Sequence, residues 1–458
     1  MTIPSLSQFA DGQPTVQNAK ASVPRSNRTF RGAEPTWANA CVGENGYPQI
    51  TEYAQGFSSA AKTLLDAVIA AEGISLAVDT YVYPICFNMR HAVELFLKST
   101  AERLEVLASI KKRPVQALDL VGTHDLHKIW KHVKDTSSVL DTRYRPLLAP
   151  LEEHVDDIAS IDATGQVFRY PFDSKQNKHL VEVSVINVLH LRRRFLEMEK
   201  LLLALDRLND DLISEYGWGT FTAHLSRVQL IELARNLPAR DRWRDPEFDA
   251  VKAELQGQYD LTSREFSKAL NFIQRRHEMA PLIGQRVEIR GLTELALRTY
   301  FDQWIRLHGL DEIKADGSEL VEFDHDISLD RALSHHRLRA ECCEVLLKNL
   351  EPDSLATLRS LFYFDKESPY SEVFDMLQSE HQREAEKYST RPEDFRRDVG
   401  SLIVKTDGLK STLNSLDFLG QTPFRDFLLE HYGLNPWRDR LLERSAHRRL
   451  FVTVDQER

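Results

Sequence analysis

Charged side chains gather at Arg90, Glu94 and Lys98, four residues apart. On a helix such residues share a face, so the Glu94 carboxylate can pair with the base on either side. His91 stands beside the row, and Thr123-His124-Asp125 opens a later apolar run. If the two segments pack together, His124 and Asp125 can hydrogen-bond to Glu94 or Arg90, with Arg169 completing a polar cluster. Such a group has two uses. The cluster can be a functional site, whereas the same residues satisfying one another pin helix ends and fix the register of packed helices.

Other chemistry is thinner. His124-Asp125 with His91 as a further ligand invites comparison with HD metal phosphohydrolases, but the pair begins a helix after Gly122 and Thr123, and no distant Asp completes the set. Asp324, His325, Asp326, Asp330, His335 and His336 fall within a short stretch that can ligate a divalent ion or simply form a loop and an acidic helix start. No metal site is assigned. Cys41, Cys86, Cys342 and Cys343 lack the spacing of a zinc clip or redox dithiol, and Cys86 and Cys342 read as small hydrophobes. GLKST at Gly408 lacks the glycines of a phosphate loop, and there is no GxSxG elbow. No cofactor is expected.

The elements that must position these residues are helices. Residues 1–48, rich in Pro, Ser, Asn, Gln and Gly, read as a flexible, disordered or extended arm, with Trp37 and Tyr47 able to dock back. From Thr51 the apolar residues follow helical spacing (Ala61, Leu64, Leu65, Val68, Ile69), and Cys86, Met89, Val93, Phe96, Leu97, Leu104 and Leu107 mark a core helix. Thr123 is placed as the N-cap of an amphipathic helix carrying Leu126, Ile129, Trp130 and Val133. A helix through LLAPLEEHVDDIAS, a DATGQ turn, an extended VFRYPFD run and a long helix over 181–208 complete a domain at 49–212. The pattern lapses in NDDLISEYGWGT, which sets the boundary to a second helical domain over 220–458. There Pro246 opens a helix, Thr262 with Glu265 and Thr390 with Glu393 form capping boxes, and QRVEIRG at 285–291 can make a hairpin edge. The stripes Phe266, Leu270, Ile273 and Leu355, Leu358, Leu361, Phe362 read as core. The expected class is all-α.

Three segments, RHAVELFLK at Arg90–Lys98, THDLHKIW at Thr123–Trp130 and FRYP at Phe168–Pro171, resemble in order and separation the motifs of the HEPN family of helical-bundle domains. The resemblance covers about 50–210. It implies an anti-phage defence or toxin–antitoxin protein acting on RNA as a metal-independent ribonuclease, commonly as a homodimer, or alternatively a non-catalytic module that binds a partner protein of the same system or a nucleotide. Family nucleases carry Arg followed by His after four to six intervening residues, and no such pair lies within 50–210; Arg331 with His336 and Arg440 with His447 lie outside it. Any site would then draw on Arg90, His91, Glu94, His124 and Arg169.

The net charge of −10 argues against a surface that tracks nucleic acid throughout. Local contacts remain open, from Lys98, from Arg192 and Arg193 in the run Arg192–Arg194, or from the cluster Lys111, Lys112 and Arg113. The longest apolar stretch, 64–78, is broken by Asp66 and Glu72, and the N-terminus has no basic n-region or apolar h-region. A cytoplasmic protein without membrane contact is expected.

Overall fold

The computed structural model describes residues 27–310, 329–367 and 369–443. The fold is all-α, and among the described residues the only strand-like pairing is an isolated bridge between Phe172 and Lys178. Residues 28–49 make bends and two short 3-10 turns with every side chain exposed. Trp37 and Tyr47 stand in solvent rather than docking, 85 % and 79 % exposed.

The first bundle consists of α1 (Ile50–Ala70), α2 (Val78–Lys111), α3 (Leu126–Leu140), α4 (Arg145–Asp162) and α5 (Val188–Gly217). Gln49 and Glu52 cap α1 reciprocally. Helix α2 is central: Val93, Leu97, Ala101 and Leu104 are fully buried among apolar residues of the other four helices. Burial of each leucine stabilises the fold by roughly 1.5–3 kcal/mol. Pro84 sits in the second turn, where it removes the amide that would bond the Thr80 carbonyl. Asp125, not Thr123, caps α3, its carboxylate accepting from the Lys128 amide at 3.2 Å. That shift of two residues leaves His124 just outside the helix.

Helix α5 begins at Val188, later than periodicity suggests, and runs through the glycine-containing stretch to Gly217. Leu212 and Tyr216 hold it there, both buried in the first apolar cluster. Residues 163–187 between α4 and α5 form turns rather than an extended run.

Two further apolar clusters follow. One gathers α6 (Arg227–Asn236), α7 (Glu247–Gln258) and α8 (Ser263–Arg275) around Leu230, Phe266 and Ile273. The other spans α9 (Glu294–His308), α10 (Leu329–Asn349), α11 (Pro352–Phe364), α12 (Ser371–Ala385), α13 (Pro392–Ile403), α14 (Gly408–Phe418), α15 (Thr422–His431) and α16 (Arg438–Leu441). Thr262 and Glu265 form the expected capping box on α8. Thr390 does not cap α13; its hydroxyl bonds back to the Lys387 carbonyl and Arg391 takes the cap position. Residues 285–291 form no hairpin edge, since the Arg290 carbonyl accepts from the Thr357 hydroxyl and Gln378 instead of a strand partner.

Candidate functional site

The row on α2 and the start of α3 do meet. Arg90, Glu94 and Lys98 are all at least 95 % buried. The Arg90 guanidinium donates to the Glu94 carboxylate, the His124 carbonyl, the Ala163 carbonyl at 2.8 Å and the Asp162 carbonyl at 3.2 Å. It thereby closes the C-terminal end of α4, whose carbonyls have no intrahelical donor. Gly165, at φ +78°, lets the guanidinium lie against the backbone, where a Cβ would sit 3.0 Å from its Nη1.

Glu94 accepts from Lys98 Nζ at 2.8 Å, from Arg90 and from His124 Nδ1 at 2.8 Å. Burial alone would raise its pKa; the bonds from Lys98 and His124 and the charge and bond of Arg90 outweigh that and hold it below the usual carboxylate value. Since an ionised carboxylate only accepts, the His124 proton sits on Nδ1, and a neutral imidazole then presents the Nε2 lone pair. The His124 side chain is 61 % exposed. One solvent-facing imidazole, oriented by a buried carboxylate, can therefore accept and return a proton.

His91 lies 4.0 Å from Glu94 and packs edge-on against Phe57 and stacked on Phe87. Burial lowers its pKa, and the charges of Arg90, Lys98 and Arg169 lower it further against Glu94. Arg169 is exposed and does not enter the hydrogen-bonded cluster; its guanidinium lies over the Phe87 and Tyr170 rings.

The nucleic-acid contacts expected from the basic residues change. Lys98 is buried against Glu94 and offers no ammonium to a phosphate backbone. Arg192 pairs with Asp66 at 2.7 Å, and Arg194 with Glu153 and Asp157. Arg193 is exposed, meets His190 at 3.1 Å and has no carboxylate partner among the described residues.

For the HD-type reading, Asp125 is committed to capping α3 and His124 Nδ1 to Glu94. Among the described residues no three His, Cys, Asp or Glu side chains converge as a metal site. Asp324, His325 and Asp326 lie outside the described residues, and nothing is described of the Asp330 side chain; His335 and His336 are exposed on α10. Of the Arg–His spacings, nothing is described of the Arg331 side chain, and His447 lies outside the described residues. A further pair at that spacing, Arg425 and His431, is unavailable for catalysis as a unit because Arg425 is held by Asp417 and Asp426.

Sequence reasoning missed the role of the α4 end. Asp162 is wholly buried and accepts the Gln166 and Val167 amides at 2.8 and 3.1 Å, shaping the turn on which Arg90 rests. The DATGQ turn was the available signal. No family model, curated protein or solved structure matches the chain.

Proposed function

We propose that the chain is a HEPN-like protein of a prokaryotic defence or toxin–antitoxin system that cleaves RNA without a metal, with His124 as its acid–base group. The supporting observation is the Glu94–His124 pair, a buried carboxylate fixing the tautomer of an exposed imidazole. His124 Nε2 takes the ribose 2′-hydroxyl proton, the 2′-oxygen attacks the adjacent phosphorus, and the 5′-oxygen leaves with a proton. The products are a 2′,3′-cyclic phosphate and a 5′-hydroxyl. Arg169, exposed and close enough for its charge to act on His91, is the guanidinium offered to the phosphate. A homodimer would set a second His124 near the first as the proton donor.

A second reading has its own support. Arg90, Glu94 and Lys98 are buried and satisfied by one another and by backbone carbonyls of α4 and residue 124, which is how a non-catalytic module would pin three helices while binding a partner protein. The two readings separate on RNA incubated with purified wild type and His124→Ala in chelator. Cleavage by wild type alone supports the ribonuclease; intact RNA in both supports the binding module.

A further inference from the structure

Lys111 and Arg113, at the end of α2, line a polar cavity of about 180 Å³ between the first bundle and the start of α6. Ser138, Thr142, Ser226 and Gln229 supply much of the remaining wall. Neither cation has a carboxylate within ion-pair distance among the described residues. Lys111 gives one hydrogen bond to the Leu140 carbonyl and lies 3.9 Å from the centre of the Tyr216 ring, leaving two of its three N–H donors. Arg113 donates to the Val139 carbonyl at 3.0 Å and the Ala223 carbonyl at 2.7 Å, leaving three of five. The one acid in the lining, Asp141, is already answered by two bonds from the Arg143 guanidinium, one from the Arg143 amide and one from the Tyr216 hydroxyl. His224, also in the wall, is engaged by Glu265 at 2.6 Å.

We propose that this cavity binds a phosphoryl group, free or carried by a mononucleotide, through Lys111 and Arg113. Its lining joins two cations without an ion-paired carboxylate to the Ser226 hydroxyl and the Gln229 side-chain amide, while the Ser138 hydroxyl is spent on the Lys134 carbonyl. The Ser226 oxygen accepts from the Gln229 amide, so its hydroxyl proton remains to be given, and Gln229 uses its carbonyl oxygen on the Ser226 amide, leaving its NH₂. The volume admits a phosphoryl group with water beside it. Burial pushes the Lys111 ammonium down to about 8, with Arg113 and Arg143 adding to the effect against Asp141 and Glu215, so a bound anion would favour its charged form. Because the wall comes from both α2 and α6, the bound anion would tie the first bundle to the second apolar cluster.

The test is the thermal midpoint of the full chain titrated with inorganic phosphate, pyrophosphate, AMP and adenosine at constant ionic strength. A ligand of the folded state raises the midpoint. The phosphate-bearing probes are expected to do so and adenosine is not; a response to AMP alone among them identifies a nucleotide as the source. Gln229→Glu keeps the α6 capping box while placing a carboxylate in the cavity, and Lys111→Met removes one cation. Each is expected to weaken binding at least ten-fold with the unliganded midpoint showing that it folds, while Lys111→Arg retains it. No shift with any phosphate-bearing probe, an equal shift with adenosine, or binding undiminished in both Gln229→Glu and Lys111→Met would overturn the proposal.

Discussion

Glu94 carries more of the site than any other side chain. It receives Arg90, Lys98 and His124, so Glu94→Gln leaves two buried cations without their shared counter-charge. Breaking a buried ion pair from one side costs about 3–5 kcal/mol, and chemical denaturation of the variant is expected to show a loss of that order. The pH dependence has a fixed sign. The folded carboxyl titrates below its ordinary 4.5, so its stabilisation is complete above that value and disappears as pH falls through the folded pKa. Below pH 4.5 wild type should therefore lose stability more steeply than Glu94→Gln; parallel curves would show that the network contributes no linkage. The row itself was legible from spacing four on a helix. That Lys98 faces inward was not, because a lysine on a helix reads as solvated until its neighbours are known.

Helix ends decide where the site residues stand. Asp125 caps α3 and thereby leaves His124 outside the first turn, its carbonyl free for Arg90. Asp125→Ala should cost about 1 kcal/mol and broaden the His124 imidazole resonances in NMR; unchanged resonances would mean that Arg90 and Glu94 position the residue without the cap. The choice between Thr123 and Asp125 could not be made from sequence, since both are good caps and only the backbone bond distinguishes them. The same holds at Thr390, where the capping-box letters are present but the hydroxyl turns back to Lys387. Periodicity was reliable where stripes are long, as in α2, α8 and α11, and failed at the ends of α5, whose glycine-containing tail is kept helical by burial of Leu212 and Tyr216. In the α11–α12 pair, His381 is buried against the Ser360 hydroxyl at 2.9 Å. Burial, then Arg359, lowers its pKa from 6.5 to about 4. The unfolded chain takes up a proton first as pH falls, so this histidine's contribution is intact above 6.5 and lost towards 4. Hydrogen exchange of α11 and α12 should quicken over that window in wild type and not in His381→Gln.

At the scale of the whole molecule, three apolar clusters share one chain, and a buried guanidinium bridges the second and the third. Arg227, 1 % exposed at the start of α6, donates to Glu278 after α8 and to Glu372 on α12, which also accepts from the Thr220 hydroxyl. Arg227→Met strands Glu278 and leaves Glu372 only Arg276 at 3.5 Å and the Thr220 hydroxyl. A loss of roughly 3–5 kcal/mol is expected, with denaturant unfolding changing from a single transition to two; one transition shifted without splitting would mean that apolar packing, not Arg227, couples the clusters. None of this seam was legible in the sequence, because its members lie up to 152 residues apart and each looks like a surface charge. The all-α class was legible because it rests on local spacing. No described helix is long and apolar enough to cross a membrane.

The central claim is that His124, oriented by Glu94, is the acid–base group of a metal-independent ribonuclease. General acid–base catalysis contributes typically 10²–10⁴-fold. The decisive measurement is incubation of purified wild type and His124→Ala with total cellular RNA in chelator, followed by fragment resolution and end-group analysis. Wild type is expected to yield fragments with 2′,3′-cyclic phosphate ends, and His124→Ala, folded by its thermal midpoint, to cut at least about 100-fold more slowly. Intact RNA with wild type, or equal cleavage by both proteins, would contradict the assignment.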